Sequence, residues 1–435
     1  MGRGVLTAIA AGAVAILAAV AGAWMTVLDP TLNAVSERDT KVLPASLVSE
    51  RTARTYPLAG TVTYDGVPMH DAFVTIAGQT VYTVADGRFD FADVPLGTIS
   101  VTRPGFHPQE IDFDASGDEL EVVLEPIVVR ALRIAPDKAA SDAEFQKLLD
   151  LAAVTSVNAF VFDTKTDHDG GLIFYETEVP AAVNNGLTDF TYSAAERLGQ
   201  AHDAGLYTVT RIPAFLDPAY SDAVPAHTLV WDWLDPTKKS VWEYPLALAV
   251  EACEMGFDEI QFDYVRFPSG NAATKARQLG KVPGEDARVA AIRGFLEEAA
   301  DRLHPLGCAV SADIFGIVNA IENDQGIGQL IEEVTIPIDV FSPMIYPEQW
   351  GNGWFGLADP DDAPGKLVAS VLDASADRVA PGTITRPWLQ SYYYSDEKIL
   401  AQIAASEARG NGWILWNSPG NYDAGELPDG GEGSA

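Results

Sequence analysis

Cysteine, histidine and basic residues are scarce in this sequence of 435 residues, and each shortage excludes a class of protein. Its 2 cysteines exclude a framework of several disulfides, and its 6 histidines show no spacing typical of zinc ligands. Lysine and arginine number 28 against 62 acidic residues, which gives a net charge of -34. Because so acidic a surface repels phosphate backbones, we exclude nucleic acid as a partner. We predict neither a metal nor a cofactor.

The two cysteines, Cys253 and Cys308, fall on a predicted helix and at the start of a predicted strand. A single bridge between them stays open as an alternative. Because free cysteine packs readily in apolar cores, we expect two unpaired, buried thiols.

An apolar run at the N-terminus, residues 5–28, follows Arg3 and is long enough to cross a bilayer as a helix. Small residues at Ala21, Gly22 and Ala23 also fit a cleavage site, so residues 1–28 form a membrane anchor or, alternatively, a cleaved signal peptide. Both alternatives place the rest of the chain outside the cell membrane, tethered or secreted. We expect residues 29–55 to be a linker and residues 426–435 a disordered tail.

Short β-branched and aromatic runs separated by glycine-containing turns fill residues 56–126, which predicts a small antiparallel β-sandwich. The segments Gly60-Thr61-Val62, Asp86-Gly87-Arg88-Phe89 and Val94-Pro95-Leu96-Gly97 resemble the carboxypeptidase regulatory-like, prealbumin-type domains. That resemblance implies a spacer or an accessory binding unit without catalytic residues of its own.

Residues 127–425 alternate strands with helices, which is typical of parallel β/α units. Gly205, Gly256 and Gly307 each follow a helical run and precede a strand, as a repeating β/α unit requires. The fold class is therefore α/β, a (β/α)8 TIM barrel after an N-terminal antiparallel β-sandwich. An open doubly wound sheet is disfavoured because the first turn lacks glycines. Eight strands are predicted, at 128–134, 157–163, 207–214, 259–266, 309–315, 340–346, 387–392 and 412–417.

The fourth predicted strand ends in a carboxylate. Successive side chains leave a strand on opposite faces, so Gln261 and Asp263 share one face while Phe262 and Tyr264 share the other. An unpaired charge is costly in a strand core, which favours Asp263 at the open, C-terminal end, where TIM barrels hold their active sites.

The other strands also end in polar or aromatic residues. Carboxylates, amides and aromatic rings on one rim are what a sugar site needs, for bond cleavage, for hydroxyl groups and for apolar sugar faces. For Asp163, Lys165 and Arg211 an ion-pair network that holds the rim together is an equal alternative. The predicted substrate-binding residues are Asp163, Lys165, Arg211, Arg266, Tyr346, Trp350, Gln390, Trp416 and Asn417.

Glycoside hydrolysis uses two carboxyl groups, and the adjacent fourth and fifth strands supply Asp263 and Asp313. Glu348, in the loop after the sixth strand, is the alternative acid. It stands close to Trp350, where partial desolvation would keep it protonated. The predicted catalytic residues are thus Asp263, Asp313 and Glu348.

Several motifs resemble a glycoside hydrolase-like barrel family of bacterial and archaeal surface proteins, which is distantly similar to the α-amylase superfamily. They include Asp163-Thr164-Lys165, the run 256–268 and Leu415-Trp416-Asn417. The distant similarity implies a nucleophile at Asp263 and an acid/base at Asp313. Two positions depart from it: Gln261 stands where that pattern has arginine, and Asp313 stands where it has the longer glutamate.

We therefore predict an exported enzyme that hydrolyses glycosidic bonds of a polysaccharide or oligosaccharide, with a membrane as its second partner through residues 1–28. The main alternative is a barrel that binds a surface glycan without cutting it. A deacetylase or amidase is a further alternative, and it would usually require metal ligands that the sequence does not show.

Overall fold

The computed structural model describes residues 54–117 and 119–430. The predicted anchor or signal segment, nearly all of the predicted linker and the last five residues lie outside this described part. Within it, no helix is both long and apolar enough to traverse a bilayer. The strands are β1 Thr55–Tyr64, β2 Val67–Pro68, β3 Phe73–Ile76, β4 Gln79–Tyr82, β5 Arg88–Pro95, β6 Gly97–Thr102, β7 Gln109–Phe113, β8 Leu120–Val123, β9 Arg130–Ile134, β10 Ala159–Asp163, β11 Tyr207–Pro213, β12 Thr228–Val230, β13 Trp233–Leu234, β14 Glu259–Asp263, β15 Ala309–Phe315, β16 Val340–Ile345, β17 Ile384–Thr385, β18 Trp388–Gln390 and β19 Trp413–Trp416.

Twelve α-helices are present in the described part of the chain, and most of them connect barrel strands. Their bounds are α1 Pro136–Ala140, α2 Asp142–Val154, α3 Pro180–Val183, α4 Ala194–Asp203, α5 Pro218–Ala223, α6 Lys239–Met255, α7 Gly270–Gln278, α8 Glu285–Leu303, α9 Gly316–Asn319, α10 Ile331–Val334, α11 Pro364–Ser375 and α12 Asp396–Glu407. The Ser141 hydroxyl caps α2 by accepting the Glu144 N–H at 3.3 Å. Gly256 ends α6 with a left-handed φ of 114°, a conformation that glycine adopts without strain.

The first eight strands form the predicted sandwich, in which every pairing is antiparallel except that of β1 with β8, which is parallel. One sheet joins β1 with β2, β5 and β8, and the other has the order β4-β3-β6-β7. Alternate side chains from both sheets meet in one core, for example Val62 on β1 and Val74 on β3. This two-layer packing is that of a β-sandwich.

The barrel closes on itself with eight parallel strands. The order is β9-β10-β11-β14-β15-β16-β18-β19, and β19 pairs back with β9. The seventh strand is split into β17 and β18, because the intervening Pro387 has no N–H to donate. The predicted fold class is thus confirmed, and each of the eight predicted strands corresponds to a barrel strand.

The two faces of the barrel strands differ as predicted. Ile260 and Phe262 point outward into the apolar core beneath the helices. Gln261 and Asp263 take the opposite face of β14, toward the barrel interior. The polar side chains that matter for chemistry therefore lie inside the barrel.

The expectation of two free thiols is wrong, because Cys253 and Cys308 form a disulfide. Cys253 lies in the last turn of α6 and Cys308 directly precedes β15, so the bond ties a helix to the strand after next. The two cysteines are separated by 55 positions in the sequence. A disulfide of this kind restricts the unfolded chain and typically adds about 2–4 kcal/mol to the free energy of unfolding.

A buried ionic cluster joins the sandwich to the barrel floor. Arg103, which follows β6, lies 3.0 Å from the carboxylate of Asp339, just before β16. His304 approaches the same carboxylate to 2.8 Å. Burial opposes protonation of His304, but the Asp339 carboxylate outweighs it and raises the pKa of the imidazole. This cluster lies at the end of the barrel opposite its strand C-termini.

Candidate active site

A cavity of about 900 Å³ opens at the C-terminal ends of the barrel strands. Its walls include side chains from seven of the barrel strands or from the residues just beyond them, as is usual for TIM barrels. These side chains are Arg133, Arg211, Asp263, Asp313, Tyr346, Trp388 and Trp416.

Arg211 on β11 lies at the centre of this site and faces three aspartates. Its Nε donates to Asp263 Oδ2 at 2.9 Å, and Nη1 donates to Asp163 Oδ1 at 2.9 Å. Nε also lies 3.7 Å from Asp313 Oδ2. Burial disfavours the charge, but the three carboxylates outweigh burial and raise the pKa of Arg211. One guanidinium therefore fixes three acids relative to one another.

Gln261, one of the two positions at which the sequence departs from the amylase-like pattern, lies beside Arg211. The two residues are register partners on the neighbouring strands β11 and β14. A guanidinium thus reaches Asp263 from the adjacent strand. Gln261 instead donates to the Ser342 hydroxyl at 3.2 Å inside the barrel.

Asp163 does not reach the cavity. Its carboxylate is buried between Arg211 and Arg133, whose Nε donates to Oδ2 at 2.8 Å. This contact favours the ion-pair alternative for Asp163 over substrate binding.

The carboxylate of Asp263 lies in the cavity wall. Its side chain keeps 8% of its surface exposed, and Oδ1 accepts the backbone N–H of Tyr264 at 2.5 Å. With Arg211 on its other oxygen, the carboxylate is held in a fixed orientation.

Asp313 lies deeper and in a different environment. Its side chain is 1% exposed, and the Trp388 indole N–H donates to Oδ1 at 2.6 Å. Burial and then the Asp263 carboxylate raise the pKa of Asp313 well above its usual range, against the opposing charge of Arg211. Asp313 therefore keeps its proton to a higher pH than an ordinary aspartate does.

Aromatic rings form much of the cavity wall. Trp350 and Trp354 meet edge to face with ring centres 5.3 Å apart, and both line the cavity. On the other side, the guanidinium of Arg133 lies 4.9 Å from the Trp416 ring. Burial followed by the charges of Asp313 and Asp263 raises the pKa of Tyr346, so its hydroxyl remains a hydrogen-bond donor into the cavity.

Arg266 lines the cavity between aromatic rings. Its guanidinium carbon lies 4.1 Å from the Phe315 ring centre and 4.7 Å from that of Trp233. Burial lowers its pKa to about 10, which leaves it charged at neutral pH. The surrounding rings therefore stabilise its charge by cation–π contact.

Seven predicted site residues line the cavity: Asp263, Asp313, Arg211, Arg266, Tyr346, Trp350 and Trp416. Of the others, Lys165 is buried away from it, paired with Asp217 and 4.6 Å from the Tyr244 ring. This placement favours the ion-pair alternative for Lys165 as well.

Glu348, Gln390 and Asn417 also lie outside the cavity lining. The expected desolvation of Glu348 is wrong, because it is exposed and accepts the Tyr392 hydroxyl at 2.6 Å. The Gln390 side-chain amide bonds to the backbone of two loops: it accepts the Glu348 N–H at 3.2 Å and donates to the Tyr392 carbonyl at 3.2 Å. Asn417 donates to the Ser391 hydroxyl at 3.3 Å. The amides of Gln390 and Asn417 therefore shape the rim.

Sequence reasoning did not select several lining residues. Arg133 could have been predicted as a site residue, because a charge inside the apolar first strand needs a partner. Asp167, His168 and Asp169, in a turn after β10, also line the cavity. Among the described residues, no group of three or more potential ligands is placed to hold a metal ion.

We expect the Arg211→Met substitution to lower the free energy of unfolding by about 3–5 kcal/mol, because it leaves buried carboxylates without their cation. Urea denaturation measures this loss. The control is Arg293→Met, since Arg293 makes a partly exposed pair with Glu297 at 2.8 Å, and its loss should be below about 1 kcal/mol. Equal losses in the two variants would contradict the central role of Arg211.

Solved structures that are similar to this chain include the following three. A hypothetical protein from Ruminiclostridium thermocellum is 33% identical, with 42% of this chain and 96% of that chain covered and a TM-score of 0.36. The glycoside hydrolase domain of PgaB (BpsB) from Bordetella bronchiseptica is 14% identical, with 68% and 95% covered and a TM-score of 0.48. That of PelA from Pseudomonas aeruginosa is 12% identical, with 68% and 97% covered and a TM-score of 0.40.

No curated protein matches the sequence. A protein family does: its description reads "Putative glycosyl hydrolase domain", and the match covers residues 131–422. That span includes every barrel strand except the first residue of β9, and it contains the whole cluster around Arg211. The chain therefore belongs to this family of glycosyl hydrolase domains.

Proposed function

We propose that the barrel hydrolyses glycosidic bonds of a polysaccharide with Asp263 as nucleophile and Asp313 as general acid/base. One observation carries the proposal: two carboxyl groups share one guanidinium at the cavity floor but lie in unlike environments. Glycosidases need this asymmetry, with one carboxyl ionised and the other protonated. Arg211 Nε donates to Asp263 at 2.9 Å, whereas Asp313 lies 3.7 Å from it, is more deeply buried and has the raised pKa.

The separation of the two groups supports retention of configuration. Distances of 2.9 and 3.7 Å from Arg211 Nε place the two Oδ2 atoms at most about 6.6 Å apart, whereas inverting enzymes need about 6.5–9.5 Å and retaining ones about 5–5.5 Å. This upper limit falls at the lower edge of the inverting range and is compatible with the retaining distance. We therefore propose a double displacement.

In the first step Asp313 gives its proton to the glycosidic oxygen as that oxygen leaves the anomeric carbon. Asp263 Oδ forms a bond to the same carbon, which gives a glycosyl ester and a free alcohol. In the second step Asp313, now ionised, takes a proton from water, and the hydroxide so formed displaces Asp263. The Arg211 guanidinium remains bonded throughout and orients the leaving carboxylate.

The cavity wall supports a sugar ligand. The rings of Trp350, Trp354 and Trp416 offer apolar faces for stacking against pyranose rings. Arg133 and the Tyr346 hydroxyl supply donors for sugar hydroxyls on the same walls. Exposed Glu348 has no place in this mechanism.

We further propose that the enzyme works at the outer face of a membrane. The support is the apolar run at residues 5–28 followed by a polar linker, both outside the described part of the structure. Protease added to intact cells should digest the barrel. Protection of the barrel until the cells are lysed would reject this location.

A non-catalytic glycan-binding barrel is the second candidate, and one observation favours it: Arg211 pairs with the acids that would have to react. Such a barrel would bind sugars through the same aromatic walls and release no new reducing ends. Binding and cleavage must therefore be measured separately.

The test uses the full chain and a panel of starch, carboxymethylcellulose, xylan, chitin and chitosan. We expect new reducing ends from at least one polysaccharide, and none from the variant that carries both Asp263→Asn and Asp313→Asn. Binding without cleavage by the unaltered chain would select the binding barrel. Equal cleavage by the double variant would remove both residues from the mechanism.

A further inference from the structure

Four aromatic side chains stand exposed at the end of the barrel that holds the cavity. Within residues 127–430, no other Phe, Tyr or Trp is exposed in the described structure. Their exposed fractions range from 37% for Phe355 to 93% for Tyr393. Each lies on a loop that follows a different barrel strand: Phe190 after β10, Trp231 after β11, Phe355 after β16 and Tyr393 after β18.

The loops hold these rings in an unusual backbone conformation. The φ angles are 54° at Phe190, 49° at Trp231, 50° at Phe355 and 61° at Tyr393. Bulky residues avoid this left-handed region, and such strain persists only where the surroundings enforce it. Of the six non-glycine residues with positive φ in the described barrel, five are aromatic, and the fifth is Tyr264 in the cavity wall.

Phe355 continues the aromatic wall of the cavity outward. Its ring centre lies 5.8 Å from that of Trp350 and 6.1 Å from that of Trp354. Both tryptophans line the cavity. An apolar surface thus runs without a break from the cavity to the exterior.

Tyr393 is joined to the cavity in the same way. Its ring centre lies 5.4 Å from that of Tyr392, which lies 6.3 Å from that of Tyr346 in the cavity wall. Tyr346 in turn faces the two carboxylates that we propose as catalytic. A second aromatic path therefore leads from the rim to the reacting groups.

The other two rings adjoin the cavity from the opposite side. Phe190 lies between Asp189 and Thr191, which both line the cavity. Trp231 is two residues from Trp233, whose ring centre lies 5.9 Å from that of Tyr264. In a closed ring of eight strands, the second and third lie opposite the sixth and seventh. The four rings therefore flank the cavity on both sides.

We propose that Phe190, Trp231, Phe355 and Tyr393 form outer sugar subsites, so that a glycan longer than the cavity binds across its mouth and is cut internally. The occupant is a polysaccharide rather than a protein, because the rings continue the cavity that we propose to hold sugar, and they lie on four separate loops instead of forming one apolar patch. The inference rests on the proposed function, to which it adds outer binding subsites and cleavage within the polymer.

The test uses a chain that carries Asp263→Asn, so that bound polysaccharide is not cut. In this background, the double variant Phe355→Asn and Tyr393→Asn is compared with the chain that keeps both aromatic residues. Asparagine tolerates a left-handed backbone, so the substitution removes the ring without adding strain. Affinity electrophoresis through gels that contain each polysaccharide of the panel should show retardation by at least one. The dissociation constant for that polymer should rise about tenfold or more in the double variant.

Tyr82→Asn is the control, because Tyr82 is an exposed aromatic residue of the sandwich. It should leave the retardation as it is. Retardation by none of the polysaccharides, or retardation unchanged in the rim variant, would overturn the inference. If the chain with Asp263 intact is retarded but releases no reducing ends, the proposed function fails while the outer binding surface stands.

The same rim substitutions with Asp263 intact give a second measurement. We expect kcat/KM for the polymer to fall about tenfold relative to kcat/KM for a trisaccharide of the same sugar. Early products of the unaltered enzyme should be long fragments. Release of single sugars or disaccharides from the start would contradict endo cleavage.

Discussion

Replacing Asp263 by Asn is expected to lower kcat for the cleaved polysaccharide at least about 10⁴-fold. The neutral amide cannot form a glycosyl ester, while its oxygen can still accept from Arg211 at the position of Oδ2, 2.9 Å from Nε. Its NH2 group then faces the Tyr264 N–H, so urea denaturation of the variant separates a loss of chemistry from a loss of stability. A reducing-end assay at saturating polysaccharide measures kcat.

The matched control is Asp373→Asn, the same chemical change on the outside of the barrel. Asp373 lies on α11 and pairs with Arg409 at 2.7 Å, with 65% of its side chain exposed. Its loss should alter kcat less than twofold. An Asp263→Asn enzyme that retains more than a tenth of the original rate would contradict the role of nucleophile.

Replacing Asp313 by Asn is expected to lower kcat about 10²–10⁴-fold on the polysaccharide, because the leaving alcohol then departs without a proton. A dinitrophenyl glycoside of the same sugar needs no such proton, so its first step should hardly slow. The two substrates are compared in stopped-flow assays. An equal loss on both would show that Asp313 is not the acid.

The pH dependence of the unaltered enzyme should follow the same group. Burial and Asp263 raise the pKa of Asp313, so the acid is active at low pH and is lost as the pH rises through that pKa. The alkaline limb of kcat/KM should therefore disappear in Asp313→Asn. A variant with the same alkaline limb would assign that limb to another group.

The raised pKa also sets the sign of a stability effect. The folded protein binds this proton more tightly than the unfolded chain does, so the stabilisation is complete below the unfolded pKa of about 3.9 and is lost as the pH rises through the folded pKa. Urea denaturation of Asp313→Asn, whose amide does not ionise, should show a smaller loss of stability between acidic and neutral pH. The same experiment shows whether the variant folds.

Strand periodicity explains why so much of the barrel could be predicted. Alternation along residues 259–263 placed Asp263 inside, and the helix-ending glycines at 205, 256 and 307 marked where the next strand begins. Residues at the strand ends were then brought together by closure of the barrel, which is how Arg211, Asp263 and Asp313 came to share one site.

Residues in the loops after the strands could not be placed in this way. Lys165 and Asn417 follow their strands as closely as cavity residues do, but the paths of their loops turn them toward Asp217 and Ser391. Glu348 is exposed for the same reason, in a short turn after β16. The disulfide could not be predicted, because it depends on the distance in space between the end of α6 and the start of β15, which spacing along the chain does not determine.

The central claim is that Asp263 is the nucleophile, and the most direct measurement of it is the mass of the trapped glycosyl-enzyme. The Asp313→Asn variant is mixed with a dinitrophenyl 2-deoxy-2-fluoro glycoside of the sugar that the panel identifies, digested and sequenced by mass spectrometry. The account predicts one glycosyl group esterified to Asp263, because the activated donor reacts without an acid and the ester then lacks its base. A glycosyl group on any other residue, or a product of inverted configuration with no adduct, would contradict it.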